Sequence, residues 1–133
     1  MSGLHHTHLF ASDLDASVSW YCDMLGGEVA FDGEFGGARN VFMWLGGGRL
    51  HFYDQPPRGG ASGTVHHLGY RSRDLAGLVT HMRQRGAIFR SEIREFGYWR
   101  YIMCGAPDGV LLELFEYDEA DLPPELADYF EGE

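Results

Sequence analysis

The sequence predicts an α+β fold in which a βαβββ unit is used twice, and three observations predict it. Two segments 61 residues apart read alike, His6–Leu14 and His67–Leu75. Each passes from a short alternating stretch into a helical pattern that stops at glycine. Three strand-like runs then follow each helix, and 19 glycines, about twice the usual ~7%, supply the turns between them.

The elements follow in order. Aligned, His6 meets His67, Asp13 meets Asp74, Leu14 meets Leu75 and Val18 meets Val79. Leu4 to Ala11 reads as extended, with His6, His8 and Phe10 on one face and Thr7, Leu9 and Ala11 on the other. Ser12-Asp13 supplies a helix cap, and Asp15 sits in the first turn, where negative charge suits the helix dipole. Val18, Tyr21, Cys22 and Leu25 recur at helical spacing, and Gly26 or Gly27 can take a left-handed cap. Strands are expected over 28–31, 38–45 and 49–54. Residues 55–64, with Pro56-Pro57, read as a linker, so the first module runs over 4–54 and the second over 65–117. The second helix starts at Asp74, carries Leu75, Leu78, Val79 and Met82, and ends at Gly86. Strands are expected over 87–95, 99–104 and 110–117, with Ala106-Pro107-Asp108-Gly109 as a turn. In the tail, 118–133, a short helix follows Pro123-Pro124 with Leu126, Tyr129 and Phe130 on one face, covering the pocket or a partner subunit. The last three residues are expected to fray.

A chain of 133 residues suits one domain spanning 1–133, with one real core. Hydrophobic residues at 44% and charged residues at 23% exclude wholesale disorder. No apolar run approaches the roughly 18–20 residues of a membrane span. The start, Met1-Ser2-Gly3-Leu4-His5, shows no secretory signal, so a cytoplasmic protein is expected. Acids outnumber bases 20 to 10, which argues against nucleic acid and anionic membrane as partners. Residues 1–100 hold ten acids and ten arginines, while 101–133 hold ten acids and no base. The chain has no lysine, which excludes Schiff-base chemistry. Cys22 and Cys104 read as buried thiols rather than a disulfide.

The chemistry concentrates at equivalent positions of the two halves. The first strands offer His6 and His67. The last strands offer His51, between Leu50 and Phe52, and Glu113, between Leu112 and Leu114, which correspond once one residue of slippage is allowed. Three imidazoles and one carboxylate suit one divalent ion: zinc, nickel, iron(II), cobalt or manganese. A carboxylate inside an apolar run is costly unless paired or bound to metal. Taken singly, each of the four is ordinarily a hydrogen-bonded or exposed side chain, and it is their symmetry that carries the metal reading. His5 and His66 should point to the opposite sheet face and are read as structural. In the stretch Tyr98-Trp99-Arg100-Tyr101 alternate members should line the cavity, Tyr98 among the candidates for substrate contact and Arg100 for holding an anion. A strand packed with aromatics and a surface arginine is the equal alternative. Phe42 and Trp44 or Met43 are expected to line the cavity from the first sheet.

The arrangement resembles the vicinal oxygen chelate superfamily, which includes glyoxalases, extradiol dioxygenases, fosfomycin-resistance and bleomycin-binding proteins. The resemblance covers about residues 4–117. It rests on His6 to Asp13-Leu14 with Ser17, Trp20-Tyr21 and Leu25-Gly26, on His67 to Asp74-Leu75, and most of all on Ala106-Pro107-Asp108-Gly109-Val110-Leu111-Leu112-Glu113-Leu114. It implies two βαβββ modules forming an open half-barrel sheet around a metal, with His6, His67 and Glu113 as ligands. His51 is either a fourth ligand or a base, and His8 is the other candidate base. The implied chemistry is Lewis-acid polarisation of a substrate bound through two neighbouring oxygens, with proton transfer beside it.

The expected function is therefore a metal-dependent lyase, isomerase or dioxygenase acting on a small molecule. A bleomycin-binding-like protein without catalysis is the alternative. Fosfomycin-type activity is disfavoured, since a phosphonate needs a cationic site and the stretch after Glu113 is wholly acidic. A homodimer is expected, because open sheets leave edges that a second copy can cover.

Overall fold

The computed structural model describes residues 4–35, 37–57 and 65–131. Residues 58–64, most of the expected linker, and the last two of the three residues expected to fray lie outside the described residues. The chain divides into two compact units, Met1–Thr64 with Ala106–Val110, and Val65–Gly105 with Leu111–Glu133. The fold is α+β, and each unit carries one open, four-stranded mixed sheet.

In the first unit the order along the chain is β1 (Thr7–Phe10), α1 (Leu14–Leu25), β2 (Glu28–Phe35), β3 (Ala38–Leu45) and β4 (Gly48–Tyr53). The sheet order is β1-β4-β3-β2, with β1 parallel to β4 and the other pairs antiparallel. Asp13 caps α1, its carboxylate accepting from the Ala16 N–H at 3.1 Å. Gly26 ends the helix in the left-handed region at φ 71°. The buried stripe of α1 is Leu14, Ser17, Tyr21, Met24 and Leu25, rotated from the expected one, so that Val18 and Cys22 flank it half-buried. The helix lies on β3 and β4, and its core partners there are Val41, Met43, Leu50 and Phe52. Met43 is buried on the helix side. Strand β2 runs beyond the expected Phe31. A bulge between Val29 and Phe31 resets its register, and Arg39 on β3 holds Asp32 with two bonds of 2.9 Å, so the polar stretch stays paired.

The expected turn at 106–109 is a short 3₁₀ turn in which Asp108 takes φ 60°. Its carboxylate accepts from the Ser12 N–H at 3.1 Å and also from the Ser12 hydroxyl, fastening this segment to the start of α1.

The second unit contains β5 (Leu68–Arg71), α2 (Leu75–Gln84), β6 (Arg94–Phe96), β7 (Trp99–Gly105), β8 (Leu111–Tyr117) and α3 (Pro124–Glu131), with sheet order β5-β8-β7-β6. Leu75, Val79 and Met82 of α2 are buried, as are Ile102, Cys104, Leu112 and Leu114 of the sheet. The strand expected over 87–95 is reduced to the three residues of β6. Arg90-Ser91-Glu92 are all exposed and offer no apolar side to bury, while Phe89 is drawn under the Arg83 guanidinium at 5.4 Å. The tail helix α3 forms as expected. Phe130 packs 5.3 Å from both Trp99 and Tyr117, and the Tyr117 hydroxyl donates to the Phe130 carbonyl at 3.1 Å. Tyr129 points away, 81% exposed.

Candidate metal centre

The histidines of the first unit gather where β1 meets β4. The parallel register sets His8 opposite His51, with Leu50 and Phe52 turned to the buried helix side. His51 is held between two rings: His6 stacks on one face at 3.6 Å and 12°, and Phe42 stacks at 3.9 Å and 18°. His8 meets His51 edge-on at 5.7 Å and Tyr53 also at 5.7 Å. Burial, and then the neighbouring His6, push the His8 pKa below the ordinary imidazole value. Burial, and then His6, His8 and His5, do the same for His51. Both shifts favour the neutral ring, the form that donates a lone pair to a metal or accepts a proton.

His5 departs from expectation. Residues 5 and 6 precede the first strand, so strand alternation does not govern them. The His5 ring turns toward His6, with Nδ1 to Nδ1 at 3.1 Å, and one nitrogen from each of His5, His6 and His51 lies within 4.8 Å of the others. The second unit repeats the doublet: His66 Nδ1 lies 2.8 Å from His67 Nδ1, with the rings crossed at 81° against 86° in the first. His67 turns its other nitrogen, Nε2, to within 3.8 Å of Glu113 Oε2. The signal for these outer histidines stands in the sequence: adjacent His-His pairs recur at the same 61-residue offset.

The two registers make the candidate ligand positions on the last strands equivalent. His8, two residues after His6, pairs with His51, and Gly69, two residues after His67, pairs with Glu113. The one-residue slippage is therefore correct. Sequence reasoning erred at Arg100. It pairs with Glu116 in the β7–β8 register, whereas Glu113 pairs with Met103. Alternation puts Arg100 on the helix face with Ile102 and Cys104, opposite the face of Glu113. There Glu116 and Asp118 take its guanidinium at 2.7 and 2.8 Å, and Glu116 also accepts from the Leu75 N–H at 2.7 Å, capping α2. Tyr98 lies in the turn before β7, its carbonyl accepting from the Asp118 N–H at 2.9 Å. The rings that do share the Glu113 face are Phe96, Trp99, Tyr101, Phe115 and Tyr117, with Trp99 stacked on Phe115 at 4.7 Å.

In the first unit a cavity of about 340 Å³ is lined by His5, Phe42, Trp44, Arg49 and His51, together with Ala30 and Met43. Trp44 was expected there, and the Arg49 guanidinium lies over its ring at 4.6 Å.

The family model of the Glyoxalase/Bleomycin resistance protein/Dioxygenase superfamily matches residues 3–114. No curated protein matches the chain significantly. Among solved structures, a glyoxylase/bleomycin resistance protein/dioxygenase domain from Frankia sp. EAN1pec is 23% identical, with a TM-score of 0.72 over 89% of this chain and 99% of that one. A lactoylglutathione lyase from Agrobacterium tumefaciens is 23% identical, with a TM-score of 0.65 over 87% and 94%. A variant of the fosfomycin resistance protein FosX from Listeria monocytogenes, in complex with Mn(II) and 1S,2S-dihydroxypropylphosphonic acid, is 19% identical, with a TM-score of 0.69 over 86% and 89%. At these identities the likeness to solved structures concerns the fold.

Proposed function

Because this chain belongs to the Glyoxalase/Bleomycin resistance protein/Dioxygenase superfamily, we propose that it is a metal-dependent enzyme of the lyase, isomerase or dioxygenase kind. Its substrate is a small molecule with two neighbouring oxygens. The observation that supports this reading is the matched register, in which each unit has an imidazole just ahead of its first strand and a candidate ligand on its last: His6 with His51, and His67 with Glu113. The donor chemistry fits a divalent ion, with three nitrogens from imidazoles and one carboxylate oxygen. His6 and His51 are stacked nearly parallel, and an imidazole lone pair lies in its ring plane, so one ring must turn for both to meet a single ion.

When bound, the metal supplies Lewis-acid polarisation of a substrate oxygen. The residues of the chain do the rest. His6 and His51 of the first unit, and His67 and Glu113 of the second, are the side chains that would hold the ion. In the tautomer where Nδ1 of His6 and of His67 donates to its neighbour, Nε2 carries the lone pair, and the contact is the support that a ligand histidine ordinarily receives from its surroundings. His8, neutral and edge-on to His51, takes the proton from the carbon beside the polarised oxygen. Phe42 and Trp44 line the cavity beside His51 with apolar rings.

A homodimer in the cytoplasm completes the reading. The two free thiols suit a reducing compartment, and the strand edges β2 and β6 are open to a second copy. Among the described residues no helix is long and apolar enough to cross a membrane.

Elemental analysis of protein purified without added metal tests the proposal. About one equivalent of transition metal per chain is expected, with thermal stability raised by that ion. Less than about a tenth of an equivalent, with no stabilisation by zinc, nickel, iron or manganese, leaves instead a small-molecule binding protein. A strictly monomeric mass at micromolar concentration counts against the dimer.

A further inference from the structure

Among the described arginines, Arg83, Arg85, Arg90 and Arg94 are exposed, and Arg39, Arg71, Arg73 and Arg100 are each bound to carboxylates within 3.0 Å. Arg49 differs. It is half-buried, it lies over the Trp44 ring at 4.6 Å, and among the described residues no carboxylate pairs with it. It stands two residues before His51 on β4, so both side chains leave the same sheet face, and both line the cavity of about 340 Å³.

A half-buried guanidinium without a counter-ion is poorly compensated for the water it has lost. Stacking on an indole satisfies the face of the guanidinium and leaves its N–H edge free. That edge is a planar fork that matches a carboxylate with two parallel hydrogen bonds. We propose that Arg49, braced by Trp44, is a carboxylate-binding subsite beside His51, and that the substrate is a small organic acid. The subsite takes over the anion-holding role that the sequence suggested for Arg100, whose fork is filled. The rings of Phe42 and Trp44 in the same cavity favour an acid with a flat, apolar body. The choice of substrate class rests on the proposed enzyme reading, whereas the carboxylate contact does not.

Two flat probes of similar size separate the cases. Salicylate carries a carboxylate beside a hydroxyl, and catechol carries two neighbouring hydroxyls and no carboxylate. Binding to the full chain is followed by calorimetry, with and without added zinc. Salicylate is expected to bind more tightly than catechol. Arg49→Gln should weaken salicylate about 10–100-fold, the range of a charge-assisted contact, and leave catechol unchanged. Arg49→Lys should fall between, and circular dichroism should report both variants folded. Equal affinity of the two probes, equal loss of both on Arg49→Gln, or no binding of either at millimolar concentration overturns the subsite. Discrimination that persists without zinc, in a protein that binds no zinc, keeps the subsite and removes the metal reading.

Discussion

In the first unit the residue opposite the last-strand candidate ligand is His8, facing His51, and in the second it is Gly69, facing Glu113. The pairing is the same and the surroundings are not. Around His51 the imidazoles crowd, and burial, then the neighbouring histidines, lower its pKa. Around Glu113 the glycine opens the sheet face, and Phe115 uses the room: a Cβ on Gly69 would come within 3.2 Å of its ring. The repeat has thus kept the positions of the donors while dividing their chemistry. One unit offers neutral nitrogens, and the other adds the negative charge. The helix faces stayed alike, with Tyr21 packed on Phe52 at 5.3 Å in the first unit and Leu75, Met82 and Leu114 almost wholly buried in the second.

The largest effects should come from the faces that the two units share. Phe52→Ala should destabilise the protein by about 3–5 kcal/mol and Leu114→Ala by about 2–5 kcal/mol, through lost burial and the cavity left behind. Urea denaturation reads both. A loss under about 1 kcal/mol at either site would mean that its helix face is not the core.

Next come the donors, where the units should differ. Glu113→Gln removes the one anionic ligand, so zinc affinity should fall by more than the ~10–100-fold that supporting partners are worth. His66→Ala and His5→Ala remove only the support of Nδ1 and should stay within that ~10–100-fold range. Competition with a chromophoric chelator measures all three. A His5→Ala loss as large as that of Glu113→Gln would make His5 a ligand and the first unit a three-imidazole site.

Much of this was legible in the sequence because it depends on local rules. Asp13 and Asp74 cap their helices, Gly26 ends one in the left-handed region, and Leu50 and Phe52 flank His51 as alternation requires. The errors arose where local pattern met a wider context. The histidines at 5 and 6 lie ahead of the strand, so a period of two does not describe them. Arg100 has the right spacing for a strand, but only the register with β8 shows which face it takes and that Glu116 waits there. The segment 87–93 has strand-like apolar residues, yet its exposed polar centre leaves it without a ladder. Arg49 stands in a glycine-rich hairpin, and only the structure sets it over Trp44.

The smallest effect concerns acid, and it separates the units again. The tail carries carboxylates held well below their ordinary values: Glu119 by hydrogen bonds from Arg73 and Arg71, and Asp118 by Arg100. The first unit has Asp32, lowered by Arg39. A carboxylate lowered in the folded state stabilises fully above its unfolded pKa and loses that contribution as pH falls through the folded one. With ordinary values of 4.5 for Glu119 and 3.8 for Asp118, the loss should begin in the tail as pH drops from about 5 toward 3. These groups are exposed, so water screens the effect and it should loosen the tail without unfolding the sheet. Glu119 binds Arg71, which also binds Glu131 at 3.0 Å, and the same helix end sets Phe130 against Trp99. Trp99 therefore reports on the tail. In a Trp20→Phe, Trp44→Phe background it is the sole tryptophan, and its emission should shift to the red before far-ultraviolet circular dichroism changes. Emission and dichroism falling together at one midpoint would show that the tail has no acid sensitivity of its own.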